Sequence, residues 1–260
     1  MPADQVAARY GYSLTRTDTL PVNAIIPQFR DPKDGYARDL LASRCLADTV
    51  PYLVSTPRDV VNGFDMRTGQ MEFNAEIAAD RGYSALRART APDTAVPDSI
   101  TITDPILAEM VECGSKADER LGRPPERLVN SIDSAGWNAV ESSALVAEAA
   151  VQWKQCMQPV GVIDLPDTPL TMPSPSIEAL SGVAPGTDGG GTPAPSPRER
   201  EIAMADAACR ESSGYDTAVF DAKRDGQLQA IGANLEEFEA ARMEYIEYEK
   251  GIDEVIAELG

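Results

Sequence analysis

With 260 residues the chain is long enough for one large or two small domains around a sizeable core, and no run approaches the roughly 20 apolar residues of a membrane span. Asp and Glu number 42 against 23 Lys and Arg, and the resulting net charge of −19 repels nucleic-acid phosphates and anionic membrane surfaces while suiting a basic partner. The chain has no histidine, which removes Ser-His-Asp and Cys-His catalysis, histidine zinc sites and imidazole switching, and leaves any chemistry to carboxylates, Lys, Tyr or Cys.

The first segment, "MPADQVAARYGYSLTRTDTLPV", has no apolar stretch of the signal-peptide kind. Residues 1–35 read as extended and irregular, punctuated by Pro21, Pro27 and Pro32. A first helix is expected over 36–48. Two turn signals, "NGFD" and "RTGQ", set among β-branched residues, predict a small β-hairpin within 50–73. A short helix near 74–81 follows, and 90–104 is loop. Asp104 then caps a helix with Pro105 in its first turn, running to Leu121 and ended by Gly122. Pro124 and Pro125 open the next, read as one helix to Met157 and stopped by Pro159 and Gly161.

Residues 159–197 hold nine of the 20 prolines and the run Gly189-Gly190-Gly191. That composition predicts a largely mobile linker, with "SIEAL" able to dock as a single turn. Pro197 opens a helix to Ser212, Ser213-Gly214 breaks it, and a last helix covers 215–259. Unbroken, that helix would be about 68 Å long. A compact globule of this length is roughly 47 Å across, so the helix must overhang or bend, with Gly226, Gly232 and Gly251 as the bend sites. The pattern divides the chain into a helical body after an extended start (1–158), a linker (159–197) and a C-terminal helical hairpin packed on the body (198–260). The fold class is mainly α, a helical bundle with a long C-terminal helix.

Four cysteines, Cys45, Cys113, Cys156 and Cys209, fall on the apolar stripes of their helices: Cys113 belongs with Ile106, Met110, Ala117 and Leu121, and Cys156 with Ala149 and Trp153. Three readings are open: two disulfides, four buried thiols, or a metal or redox site. Without a CxxC or a histidine, the last needs four remote cysteines to converge. The even count and the long separations favour disulfides. Of the three connectivities, Cys45–Cys113 with Cys156–Cys209 is preferred, because the second bridge closes a loop across the linker, worth about 4 kcal/mol in the chain-entropy model.

"WKQCMQPVG", followed by a Pro-rich gap and "EREIAMADAACRESSGY", resembles a pattern of exported proteins and lipoproteins of actinobacteria, a family of unknown function in which W-x-x-C-M-x-x-x-G precedes a D-x-x-C helix and a long terminal helix. Trp153, Cys156, Met157 and Gly161 match the first part; Asp206 and Cys209 match the second. The stretch around Cys45, "RCLADTVPY", departs from the earlier C-M-x-x-x-G module of such proteins at Leu46, so the likeness covers about 137–260. It implies disulfides and an envelope location, secreted or lipid-anchored after loss of a signal. Cytosolic residence stays open on the sequence alone.

No nucleotide-binding, serine-hydrolase or EF-hand motif occurs, and no catalytic, cofactor or metal residue is assigned. "DSAG" at 133–136 sits in a helix pattern. The stripe Ile132, Gly136, Ala139, Ser143, Val146, Ala150, Trp153, Met157 reads as an internal helix seam with small residues allowing close approach. On the last helix Tyr245, Ile252, Ile256 and Leu259 form a seam flanked by acids. It either packs on the chain's own helices or projects as a surface for a basic partner. The expected function is a non-enzymatic extracytoplasmic binding or accessory protein of the cell envelope, acting by protein–protein contact. The other class considered is a carboxylate-dependent hydrolase of wall polymers, for which a cleft holding two carboxylates and a raised pKa would speak.

Overall fold

The computed structural model describes residues 1–15, 19–26, 33–47, 64–65, 70–71, 73–83, 103–124, 126–181 and 195–260. In chain order its helices are α1 (Ala3–Arg9), α2 (Pro21–Ile25), α3 (Lys33–Cys45), α4 (Ala75–Arg81), α5 (Asp104–Leu121), α6 (Glu126–Ser142), α7 (Ala144–Met157), α8 (Pro175–Glu178), α9 (Pro197–Ser213), α10 (Tyr215–Ala233) and α11 (Leu235–Leu259). The strands β1 (Phe64–Asp65) and β2 (Gln70–Met71) pair antiparallel, Phe64 opposite Met71. Of the hairpin expected within 50–73, a two-residue ladder is seen, and 50–63, 66–69 and 72 lie outside the described residues. So does the expected loop at 90–102.

The centre of the bundle is the pairing of α6 with α10. Small residues put two backbones close together there. A Cβ built on Gly226 would stand 2.6 Å from the Ala139 Cβ and 2.8 Å from the Ala135 carbonyl oxygen, so only hydrogen fits. α1 and α2 cover one flank of α10, where Val6, Val22, Ile132, Leu228, Ile231 and Phe238 share a core. The irregular reading of 1–35 is corrected here: Pro2 precedes α1 and Pro21 opens α2. Both helices are short, and Pro21, expected as punctuation, is the first residue of α2.

One wing joins α3, α5 and α11. The Cys45–Cys113 disulfide bridges α3 and α5, Cα atoms 5.7 Å apart. Arg38 reaches both neighbours: it donates to Asp118 on α5, to the Gly122 carbonyl (3.0 Å) and to the Tyr248 hydroxyl on α11 (2.6 Å), and pairs with Asp34 at 2.8 Å. The opposite wing joins α4, α7 and α9. The Cys156–Cys209 disulfide bridges α7 and α9, Cα atoms 5.6 Å apart. No cysteine is free, so the preferred pairing is the one observed.

Two helices expected to be continuous are broken. Ser143 leaves the helical region (φ −77°, ψ 120°) and its hydroxyl caps α7 by accepting from the Val146 N–H. Asn234 (φ −121°, ψ 37°) separates α10 from α11, whereas Gly226 and Gly251 stay helical. The break lets α10 pack on α6 while α11 packs on α3, which resolves the length problem of a single helix. The expected linker also differs in its first half. Residues 158–181 lie over the α7–α9 wing, with Met172 and Ile177 in the same core as Trp153 and Met157, and "SIEAL" forms the turns of α8 and Ala179–Ser181. Asp164 fixes this segment. Its carboxylate accepts from the Ser174 hydroxyl at 2.7 Å, from the Ser176 N–H at 2.9 Å, and from the Ser176 hydroxyl. Residues 182–194 lie outside the described residues.

Candidate functional site

Ser196 caps α9 by accepting from the Glu199 N–H at 3.1 Å, and the helix then turns one face fully inward: Glu199, Ile202, Ala203, Asp206, Ala207, Cys209 and Arg210. That face carries three charged residues, each with little or no exposure. A lone buried charge costs several kcal/mol, so its partners decide whether the site is stable.

Asp206 is the hub. The Trp153 indole N–H donates to Oδ1 at 2.8 Å, and the Tyr83 hydroxyl donates to Oδ2 at 3.1 Å. Arg210, one turn on, donates from Nε to Oδ1 (3.0 Å) and from Nη2 to Oδ2 (3.2 Å). Nη2 also reaches the Pro169 carbonyl at 2.8 Å, which ties the 158–181 segment to the hub. Burial first, then the Asp206 charge and hydrogen bond, push the Tyr83 phenol far above its ordinary value, so it remains a donor. For Arg210 burial works against the charge, and Asp206 more than restores it, so the guanidinium pKa is raised. Tyr83 also donates its N–H to Glu199 Oε1 at 3.2 Å. Glu199 Oε2 has no partner among the described residues.

The matched motif is therefore one structural unit. Trp153 and Asp206, each three residues before a cysteine of the bridge, are hydrogen-bonded, Met157 fills the core beneath, and Cys156 and Cys209 close the bridge. The expectation that every cysteine faces inward is corrected. Cys113 and Cys209 are buried, Cys45 is half-buried and Cys156 is exposed, because it stands beside the stripe of α7 that buries Trp153 and Met157.

Beside the hub a cleft of about 440 Å³ opens between the start of α4 and the α9–α10 corner. Gly214 makes that corner with φ +67°, serving as the last residue of one helix and the cap of the next. Phe73, Asn74, Glu76, Arg210, Glu211 and Asp216 line the cleft. Phe73 stacks on Tyr83 (centroids 5.5 Å, planes 13° apart), and the Arg210 guanidinium carbon lies 4.9 Å from its ring centre.

The expected partner surface falls elsewhere and is covered. Tyr245 is buried in the central core with Val129, Ile132 and Phe238, while Ile252 is buried, and Ile256 and Leu259 half-buried, in a core with Ala37, Leu41 and Leu121. From Ile252 on the seam belongs to α3 and α5, which the break at Asn234 brings within its reach. Sequence reasoning also missed Tyr83, Glu199 and Arg210. Asp206 and Arg210 at i,i+4 look like an exposed ion pair; the signal that they face inward is the apolar company of Ile202, Ala203 and Cys209 on the same stripe.

A second buried charge sits on the α6–α10 seam. Lys223 has no exposure, pairs with Asp133 at 3.1 Å and lies 4.0 Å from the Trp137 ring centre. Among the described residues no group of His, Cys, Asp or Glu could hold a metal ion, and no helix is long and apolar enough to cross a membrane. No protein-family model, curated protein or solved structure matches the chain.

Proposed function

We propose that the chain is a non-enzymatic, extracytoplasmic binding or accessory protein of the cell envelope, akin to the exported actinobacterial proteins its Trp-Cys-Met motif resembles, and that it acts through contact with another protein. The observation that carries the reading is the pair of disulfides, one in each wing, with no free thiol among the cysteines. Disulfides persist in oxidising compartments and are rare where thiols are kept reduced. Asp206 and Arg210 are committed to one another, which suits a rigid scaffold. A hydrolase needs a carboxylic acid held protonated near neutral pH. Among the described residues, the carboxylates displaced from their ordinary range, Glu112, Asp118, Asp164, Asp167 and Glu239, are all lowered.

Protease accessibility in the producing organism tests this reading. Added to cells whose outer layers are opened but whose cytoplasmic membrane is intact, protease should degrade the protein while a cytosolic marker survives. Protection equal to the marker's would overturn the extracytoplasmic assignment.

A further inference from the structure

The two disulfides are not equally shielded. Cys113 is 2% exposed and Cys45 packs with Leu46, Ile106 and Met110, so that bridge is covered at one sulfur and half-covered at the other. In the other bridge Cys209 is 4% exposed, inside the core of Trp153 and Met157, whereas Cys156 faces solvent. Ala208 and Ser212, exposed on α9 either side of Cys209, are small, and the Ser212 hydroxyl lies 3.9 Å from Cys156 Sγ. A thiolate attacks a disulfide at a sulfur it can reach, and exposed bridges are the ones that exchange. The surroundings of this bridge are also held without it. One turn before the cysteines the Trp153 indole donates to Asp206, while Arg210 and Tyr215 hold the 158–181 segment through the Pro169 carbonyl and the Thr168 hydroxyl.

We propose that Cys156–Cys209 is an exchangeable bridge, opened through Cys156 by the dithiol of a thiol–disulfide oxidoreductase, while Cys45–Cys113 is a permanent staple. A thiolate of the oxidoreductase attacks Cys156 Sγ. A mixed disulfide forms, the Cys156–Cys209 bond breaks, and the Cys209 sulfur leaves with the electron pair and takes up a proton. The second thiolate of the oxidoreductase then attacks its own sulfur in the mixed disulfide and expels Cys156 as a thiolate. Two electrons have passed: this chain holds two thiols and the oxidoreductase a disulfide. Cys209 sits in the core, its Cα 5.6 Å from that of Cys156, so it is placed to close the bond again when the oxidoreductase arrives oxidised. Closed, the bridge makes residues 156–209 one covalent loop; open, the 158–181 segment is held to α7 and α9 by packing and hydrogen bonds alone. The redox state thereby sets how firmly that segment is held.

Timed incubation of the native, disulfide-intact protein with dithiothreitol, quenched by alkylation and mapped by peptide mass, tests it. Cys156 and Cys209 should become alkylated at least about tenfold faster than Cys45 and Cys113. Equal rates, faster opening of Cys45–Cys113, or no opening of either bridge in the native protein would overturn the proposal. With glutathione in place of dithiothreitol, adducts captured in acid should map to Cys156, and adducts on Cys209 in its stead would overturn it too. Hydrogen exchange separates a switch from unfolding. On opening, amides of 158–181 should exchange faster while those of α6 and α10 keep their protection. Loss of protection in α6 and α10 would mean that reduction unfolds the chain, and unchanged exchange over 158–181 would mean that the bridge does not govern that segment; either result overturns the switch. These measurements use purified protein, so their outcome is independent of the localisation test.

Discussion

At the residue scale the Asp206 hub explains why three charged side chains can sit on an inward face. Asp206 is fully met: four donors reach its two oxygens. Asp206→Asn would leave the Arg210 charge buried without its counter-ion, and a destabilisation of about 3–5 kcal/mol is expected in chemical denaturation. Combining it with Arg210→Met should recover much of that loss, because both charges then leave together; a double variant no more stable than Asp206→Asn would contradict the account. Tyr83 makes the alkaline limb of the stability curve informative. Its folded pKa is raised, so the folded state keeps a proton that the unfolded chain releases near pH 10. Its contribution is fully present below about pH 10 and is lost as pH rises from there towards the raised value. Tyr10, Tyr215, Tyr245 and Tyr248 are raised as well, Tyr10 and Tyr248 to about 12. Tyr83→Phe should therefore make the alkaline fall in stability shallower by one proton, without abolishing it.

At the element scale the glycines separate packing from conformation. Gly226→Ala puts a methyl 2.6 Å from the Ala139 Cβ and forces the α6–α10 seam apart, with an expected cost of about 1–3 kcal/mol. Gly251→Ala on α11 meets nothing within 4 Å and should be neutral or stabilising by up to about 1 kcal/mol through helix propensity. Equal melting temperatures for the two variants would sink the close-approach argument. Gly226, an expected bend site, is instead a point of close helix approach. A glycine in a helix is silent about whether the chain bends there or another backbone comes near; only the facing residues Ala135, Gly136 and Ala139 decide it. The helix starts near 74 and at Pro197 were legible, whereas Asp104, expected as a cap, is the first residue of α5, with Thr103 before it and no side-chain capping bond. Ser143 carried a capping hydroxyl before Ala-Leu-Val and was passed over because the seam stripe continues through it. The break at Asn234 falls two residues after Gly232, one of the three expected bend sites, and the Asn234 side-chain amide closes α10 by donating to the Ala230 carbonyl at 2.9 Å.

At the scale of the whole molecule the two disulfide-tied wings flank the α6–α10 pair, and α10 with α11 runs from one wing to the other. The pairing of the cysteines was legible because their stripes and separations pointed to helices folding back on each other. The cleft was not, because it is made by Phe73 and Glu76 meeting residues of α9 and α10 more than a hundred positions away. The C-terminal seam shows the same limit: acids beside Tyr245 and Ile252 suit a projecting surface or a covered one, and α3 covers it. Removal of 240–260 takes Tyr245, Ile252 and Val255 out of the core and Tyr248 from Arg38. A fall of many degrees in melting temperature is expected, and an unchanged value would mean that α11 does not pack as described. The central claim, that two specific bridges lock the two wings, is tested most directly by peptide mapping of the alkylated, non-reduced protein. The structure requires Cys45 linked to Cys113, Cys156 linked to Cys209, and no alkylated cysteine. Four alkylated thiols, or a bridge between the wings, would contradict it.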